Sequence, residues 1–181
     1  MIYIGIDPGV RMCGVAIDFN DCPPAHPDIP KLRAFTVTGN GNGTMQAEDT
    51  LQARAVGMVY DIKSHIPRRY DVALCVEGQK IYPKEKSKGD PNDMVKVAIV
   101  AGAMLGVADS LYMLHAYLPT PREWKGALPK SIHHERLRAK YREWVEPVER
   151  ETAKTHQNHV WDAVGLLEWM KAKHRRGLDN G

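Results

Sequence analysis

The chain has 181 residues, of which 43% are hydrophobic and 26% charged, as expected for one globular domain with a full core. Its net charge is only +3, so any polyanionic partner must be recognised by where the cations lie and not by their number. Three cysteines without metal-ligand spacing and the absence of a signal peptide predict the cytoplasm. The most apolar stretch, 97–108, is shorter than the roughly 20 residues that span a bilayer, so we expect no membrane partner.

The pattern of apolar residues predicts strands and helices in an α/β order. The predicted strands are Ile2–Ile6, Cys13–Asp18, Arg33–Thr38, Asp71–Val76 and Leu111–Leu118. The predicted helices are Ala47 to about Ile66, Pro91 to about Asp109, the second half of Pro121–Tyr141, and Thr155 to about Lys173. Asp90 before Pro91 is typical of an N-cap followed by proline at the first helical position.

The order of these elements predicts a mixed five-stranded sheet flanked by helices. Short connections make the first three strands antiparallel neighbours, whereas the later strands follow helices and should run parallel to the first. We predict a single domain over residues 1–173 and a flexible tail over residues 174–181.

Two carboxylates end apolar strands. Asp7 follows Y-I-G-I and Glu77 follows V-A-L-C-V. If the two strands are adjacent, the carboxylates lie side by side and repel unless a cation sits between them, and hard oxygens suit Mg²⁺ or Mn²⁺. The alternative is that Glu77 merely ends a strand and that Asp7 belongs to a D-P-G turn.

The predicted last helix contains T-H-Q-N-H-V-W-D-A-V-G-L-L. His159 and Asp162 are three residues apart and share a helical face, with Asp162 at the border of the apolar face. His156 fits a solvated first turn. H-x-x-H followed by Asp is also compatible with zinc, but no further ligand lies at a typical spacing.

Four segments in this order resemble the RuvC Holliday-junction resolvases, which are ribonuclease H-like nucleases. The segments are G-I-D-P-G-V-R-M-C-G, V-E-G-Q, V-K-V-A-I-V-A-G-A and H-V-W-D-A-V-G-L. The chain departs from the family in the glycine between Glu77 and Gln79 and in the proline-rich stretch Cys22–Pro30. These departures suit a phage-encoded relative, for which the compartment would be the host cytoplasm.

The resemblance implies a ribonuclease H-like fold and a metal-binding quartet of Asp7, Glu77, His159 and Asp162. It implies a magnesium-dependent endonuclease, with Mn²⁺ as a substitute, that holds two ions about 4 Å apart. Asp7 would bridge the ions, and His159 would be a ligand or position the water. The products would carry 5′-phosphate and 3′-hydroxyl ends.

Several basic residues are candidates for contacts with nucleic acid. Lys125 and Lys130 lie where the family carries functional lysines, which would neutralise charge on the phosphorane, and the alternative is that both are solvated. The candidates for DNA binding are Lys80, Tyr82, Lys84, Lys86, Lys88, Arg136 and Arg142. The first five follow Glu77 directly, with the tyrosine able to stack on a splayed base, while the two arginines belong to a basic helix.

The predicted helix Pro91–Asp109 is apolar nearly all round, with Ala98, Gly102 and Gly106 four residues apart. A surface helix needs only one apolar face, so the second face predicts a homodimer, which would match the two-fold symmetry of a four-way junction. The alternative is a helix buried inside one domain.

Three other functions remain open. An actin-like or sugar-kinase ATPase also has D-x-G after its first strand, but it needs a second phosphate loop that we do not find. A ribonuclease H-like RNA-processing nuclease and a junction-binding protein without cleavage differ from the resolvase in substrate or activity and not in fold.

Overall fold

A mixed sheet of five strands forms the centre of the molecule in a computed structural model, which describes residues 1–19, 31–39, 50–67, 70–79, 90–106 and 113–178. The strands are β1 (Ile2–Asp7), β2 (Cys13–Asp18), β3 (Leu32–Val37), β4 (Val72–Val76) and β5 (Met113–Tyr117). Their order is β3-β2-β1-β4-β5. The pairs β1–β2 and β2–β3 are antiparallel, and β1–β4 and β4–β5 are parallel, which confirms the predicted mixed sheet.

Six helices occur in the described part of the chain. They are α1 (Leu51–Ser64), α2 (Pro91–Gly106), α3 (Pro121–Lys125), α4 (Lys130–Lys140), α5 (Arg142–Glu151) and α6 (Gln157–Leu178). Asp90 caps α2 as predicted, because its side chain accepts a hydrogen bond from Asn92 N at 2.9 Å.

Apart from small shifts of element ends, the sequence prediction differs from the described part of the structure in three places. The first half of 121–141 is also helical, since α3 begins directly after Thr120 with a capping box to Glu123. No helix was predicted over α5, which contains Pro147, a residue that normally breaks a helix. The prediction that the last helix ends near Lys173 is wrong, because α6 continues to Leu178. Residues 174–178 are therefore helical, and the flexible tail over residues 174–181 stays a prediction.

Helices cover both faces of the sheet. One core lies between the sheet and the helices α1 and α2, around Met58, Ile62 and Met104. The other lies under α6, around Trp161 and Leu167. Because both faces are covered, every residue of β1, β2 and β4 is buried, and these strands read as continuous apolar runs in the sequence.

Two glycines allow α6 to lie directly on the sheet. A Cβ on Gly5 would come within 2.2 Å of the Ala163 carbonyl oxygen, and a Cβ on Gly14 within 2.1 Å of the His159 carbonyl oxygen. Real Cβ atoms do not approach backbone atoms so closely, so larger residues would displace the helix. The glycines on β1 and β2 thus place the start of α6 against the end of β1.

The helix α2 has one face in the core and one face outside it. Val100 and Met104 are buried, whereas Val95 and Ile99 are 52% and 47% exposed. A Cβ on Gly102 would meet no atom within 4 Å among the described residues. No helix in the described ranges has both the length and the apolarity that a membrane span requires.

Candidate active site

Asp7 and Glu77 lie at the ends of two neighbouring parallel strands. The register pairs Ile6 of β1 with Val76 of β4, and Glu77 N donates a hydrogen bond to Ile6 O at 3.0 Å. Asp7 is only 6% exposed. The strand adjacency that the side-by-side prediction required is therefore present.

The first turns of α6 bring His159 and Asp162 to the same end of the sheet. His159 Nδ1 lies 2.6 Å from Asp7 Oδ2. This hydrogen bond is the main reason why the pKa of His159 lies above its ordinary value, and it outweighs the opposing effect of burial. Asp7 and His159 thus form a contacting pair although 152 positions separate them in the chain.

Asp162 is 5% exposed and is held by two residues of α4. His134, itself 2% exposed, places Nε2 at 2.9 Å from Asp162 Oδ1. Lys130 Nζ forms an ion pair with Asp162 Oδ2. Burial alone would raise the pKa of Asp162, but the hydrogen bonds from His134 and Lys130 outweigh it and hold the pKa below its ordinary value.

Glu77 is held from the other side by α3. Trp124 Nε1 donates to Glu77 Oε1 at 2.9 Å, and the Lys125 ammonium lies 5.0 Å from the centre of the Trp124 ring. Burial and the charge of Asp7, with a further contribution from Asp162, raise the pKa of Glu77 to about 7, against the effects of Trp124 and Lys125. The charges of Asp7 and Asp162 therefore both act on Glu77.

The donor chemistry of these residues fits a hard divalent cation. Asp7, Glu77 and Asp162 supply carboxylate oxygens, and the pKa of Glu77 is raised first by burial and then by the charges of Asp7 and Asp162, which a cation would offset. Over the ranges that the structure describes, however, no three Asp, Glu, His or Cys side chains are arranged to hold a metal ion. Each acid instead accepts from a protein donor, and Lys130 supplies the positive charge beside Asp162. The metal-binding quartet stays a prediction.

The predicted DNA-binding residues fall into two groups. Lys80, Tyr82, Lys84, Lys86 and Lys88 lie outside the described residues. Arg136 on α4 and Arg142 on α5 are both exposed. Two further basic residues of α4, Arg138 and Lys140, are paired with acids of this chain. Arg138 Nε donates to Glu149 at 2.7 Å, and Lys140 pairs with Glu168.

The sequence analysis did not identify Trp124 and His134 as residues of the candidate site. One local signal for His134 exists, because it lies four residues after Lys130 and so shares a helical face with it. Trp124 has no such signal, since it meets Glu77 across 47 positions of the chain.

No family model and no curated protein matches the sequence. Solved structures do match the fold. RuvC from Thermus thermophilus in complex with a Holliday junction substrate is similar over 98% of this chain and 97% of its own, with a TM-score of 0.58 and 21% identity. A second T. thermophilus RuvC structure is similar over the same shares, with a TM-score of 0.54 and 19% identity.

The yeast mitochondrial Holliday junction resolvase Ydc2 is also similar, with a TM-score of 0.46 and 10% identity over 97% of this chain and 83% of its own. The two Thermus structures carry the conclusion on architecture. The mixed five-stranded sheet flanked by helices is the RuvC-like, ribonuclease H-like fold.

Proposed function

We propose that the protein is a metal-dependent endonuclease that resolves Holliday junctions or other branched DNA by paired nicks. The proposal depends on one observation: Asp7, Glu77 and Asp162 lie at the same end of the sheet. Burial and the charges of the other two acids raise the pKa of Glu77 there. Perturbed carboxylates that share a site are typical of catalytic centres. The products would carry 5′-phosphate and 3′-hydroxyl ends.

The three carboxylates would hold Mg²⁺, or Mn²⁺ in its place, with two ions per site. The ions would supply charge stabilisation at the scissile phosphate and would lower the pKa of the attacking water. Because His159 Nδ1 faces Asp7, its Nε2 is the atom that would orient this water or accept its proton. Lys130 and Lys125 would place positive charge near the phosphate once Lys130 leaves Asp162.

The uncovered face of α2 supports a homodimer. It presents Val95, Ala98, Ile99 and Gly102 to solvent in the described part of the chain. Ala and Gly at this spacing allow two helix backbones to approach closely, and a two-fold axis would pair the same face with itself. Two active sites related by such an axis could nick two strands of one four-way junction.

Incubation with end-labelled four-way, three-way, flap and linear DNA, with and without Mg²⁺, tests the proposal. We expect paired nicks in the four-way junction only when the metal is present. Asp7→Asn should abolish cutting and retain binding, because it removes a charge while it keeps the side chain's shape. Full activity of Asp7→Asn would contradict the site assignment. Preferential cleavage of RNA would favour an RNA-processing nuclease, and binding without cleavage a junction-binding protein.

A further inference from the structure

A cavity of about 960 Å³ lies beside the candidate active site. Its walls come from the turn between β1 and β2, from residues near the starts of α1 and α2, and from the region where α6 begins. His159, whose Nδ1 contacts Asp7, is one of the lining residues. The cavity therefore adjoins the carboxylate at the end of β1.

Positive charge predominates among the described residues of this wall. Arg11, Arg54 and Lys96 carry it, and Asp93 is the one acid. Lys96 Nζ and Asp93 Oδ1 pair at 2.9 Å, so these two charges offset each other. Arg11 and Arg54 are the other two cations of the described wall. Because the whole chain has a net charge of only +3, this is a local concentration of charge.

The chemistry of the wall fits a phosphodiester chain. Guanidinium groups bind phosphate oxygens through two parallel hydrogen bonds. Met12 and Leu51 add apolar surface to the same wall, which suits the faces of sugars. The volume is at the upper end of the about 300–1,000 Å³ that is typical of ligand sites, and is much larger than a free phosphate needs.

We infer that this cavity binds the sugar–phosphate backbone of the strand to be cut, in the segment next to the scissile phosphate. The inference rests on the proposed nuclease function and names the substrate path at that site. It differs from the paths predicted from the sequence, which followed Lys80–Lys88 or the exposed Arg136 and Arg142. Arg11 and Arg54 would each contact a backbone phosphate.

The test measures binding of a labelled four-way junction to protein that carries Asp7→Asn, which we expect to be unable to cut. Affinity is determined by fluorescence anisotropy between about 50 and 200 mM salt, because each phosphate contact contributes about 0.7–0.9 to the slope of log K against log salt. We expect Arg11→Ala to reduce the slope by about that amount and to weaken binding about 3- to 10-fold. Arg11→Lys should restore the slope and only part of the affinity, since lysine keeps the charge without the planar fork.

Arg175→Ala is the matched control. Arg175 is an exposed arginine near the other end of α6, about 24 Å along the helix axis from His159. Its loss removes the same net charge from the molecule and should leave the slope unchanged. Circular dichroism checks that Arg11→Ala is folded, and Arg54→Gln, on α1, is the second variant.

The outcomes separate the two proposals. If the wild type cuts junctions but both arginine variants bind with the wild-type slope and affinity, the cavity assignment is overturned and the nuclease function stands. If the wild type binds DNA without cutting it, the nuclease function fails. If Arg11→Ala then reduces the slope of log K against log salt as expected, the cavity assignment stands. A nucleoside monophosphate that binds as tightly as the DNA, or no binding of DNA at all, overturns the cavity assignment.

Discussion

Replacing Glu77 by glutamine in protein stripped of divalent metal tests the electrostatics of the site directly. Burial and the charges of Asp7 and Asp162 raise the pKa of Glu77 from its ordinary 4.5 to about 7. Glutamine keeps an acceptor oxygen for the Trp124 N–H and carries no charge. We therefore expect Glu77→Gln to be more stable than the wild type at every pH where Glu77 is ionised beside the other two acids.

The sign and size of the effect follow from linkage. A carboxyl whose pKa is higher in the folded chain than in the unfolded chain holds its proton more tightly when folded, so stability falls as pH rises. The fall begins near pH 4.5, where the unfolded group ionises, and ends above about pH 7. At about 1.4 kcal/mol per pKa unit, the difference between these two values corresponds to at most about 3.5 kcal/mol. We expect the two proteins to be nearly equal below pH 4.5 and to differ by about 2–3 kcal/mol above pH 7.

Urea unfolding in EDTA, repeated at several pH values across this range, measures the difference in the free energy of unfolding. Comparison with the wild type cancels the titrating groups that do not interact with Glu77. Glu135→Gln on the exposed surface of α4 is the control and should show no pH-dependent gain. A difference between Glu77→Gln and the wild type that does not change with pH would refute the reasoning. Addition of Mg²⁺ should stabilise the wild type more than the variant.

Three further predictions concern packing, hydrogen bonding and assembly. A Cβ on Gly14 would lie 2.1 Å from a backbone oxygen of α6, so Gly14→Ala should lower the free energy of unfolding in urea by about 1–3 kcal/mol. Gly177→Ala, in open space, should change it by less than about 0.5 kcal/mol, and equal effects would contradict the packing. Trp124→Phe removes the N–H that lowers the pKa of Glu77, so the loss of stability of the metal-free protein should still begin near pH 4.5 but extend to higher pH and become larger, and an unchanged profile would speak against this hydrogen bond. Gly102→Leu should shift the mass measured by light scattering towards the monomer, and an unaltered dimer would rule out the α2 interface.

Much of the fold could be predicted from the sequence because the periodicity of apolar residues is a local property. The runs Y-I-G-I and C-G-V-A-I-D are apolar on both strand faces, and the structure buries both faces of β1 and β2. The short connections between the first three strands predicted their antiparallel order, which the pairing confirms. The helix α5 was missed because Pro147 is locally a signal against a helix.

The sequence also determined which acids to consider. A carboxylate at the end of a buried strand is costly without a partner, so Asp7 and Glu77 stand out from their position in the chain alone. Only the tertiary structure decided what each one contacts. His159, Trp124 and His134 meet Asp7, Glu77 and Asp162 across 152, 47 and 28 positions of the chain, respectively.

The basic cavity and the raised pKa of Glu77 also depend on the tertiary structure. Arg11, Arg54 and Lys96 are isolated cations in the sequence and come together only where the β1–β2 turn, α1 and α2 meet. Charge–charge energies depend on distance through space and on burial, and neither is encoded in a local pattern of residues. The sequence by itself therefore determined the strands, most of the helices and the acids to consider, whereas the packing of α3, α4 and α6 on the sheet decided the partners of these acids and raised the pKa of Glu77.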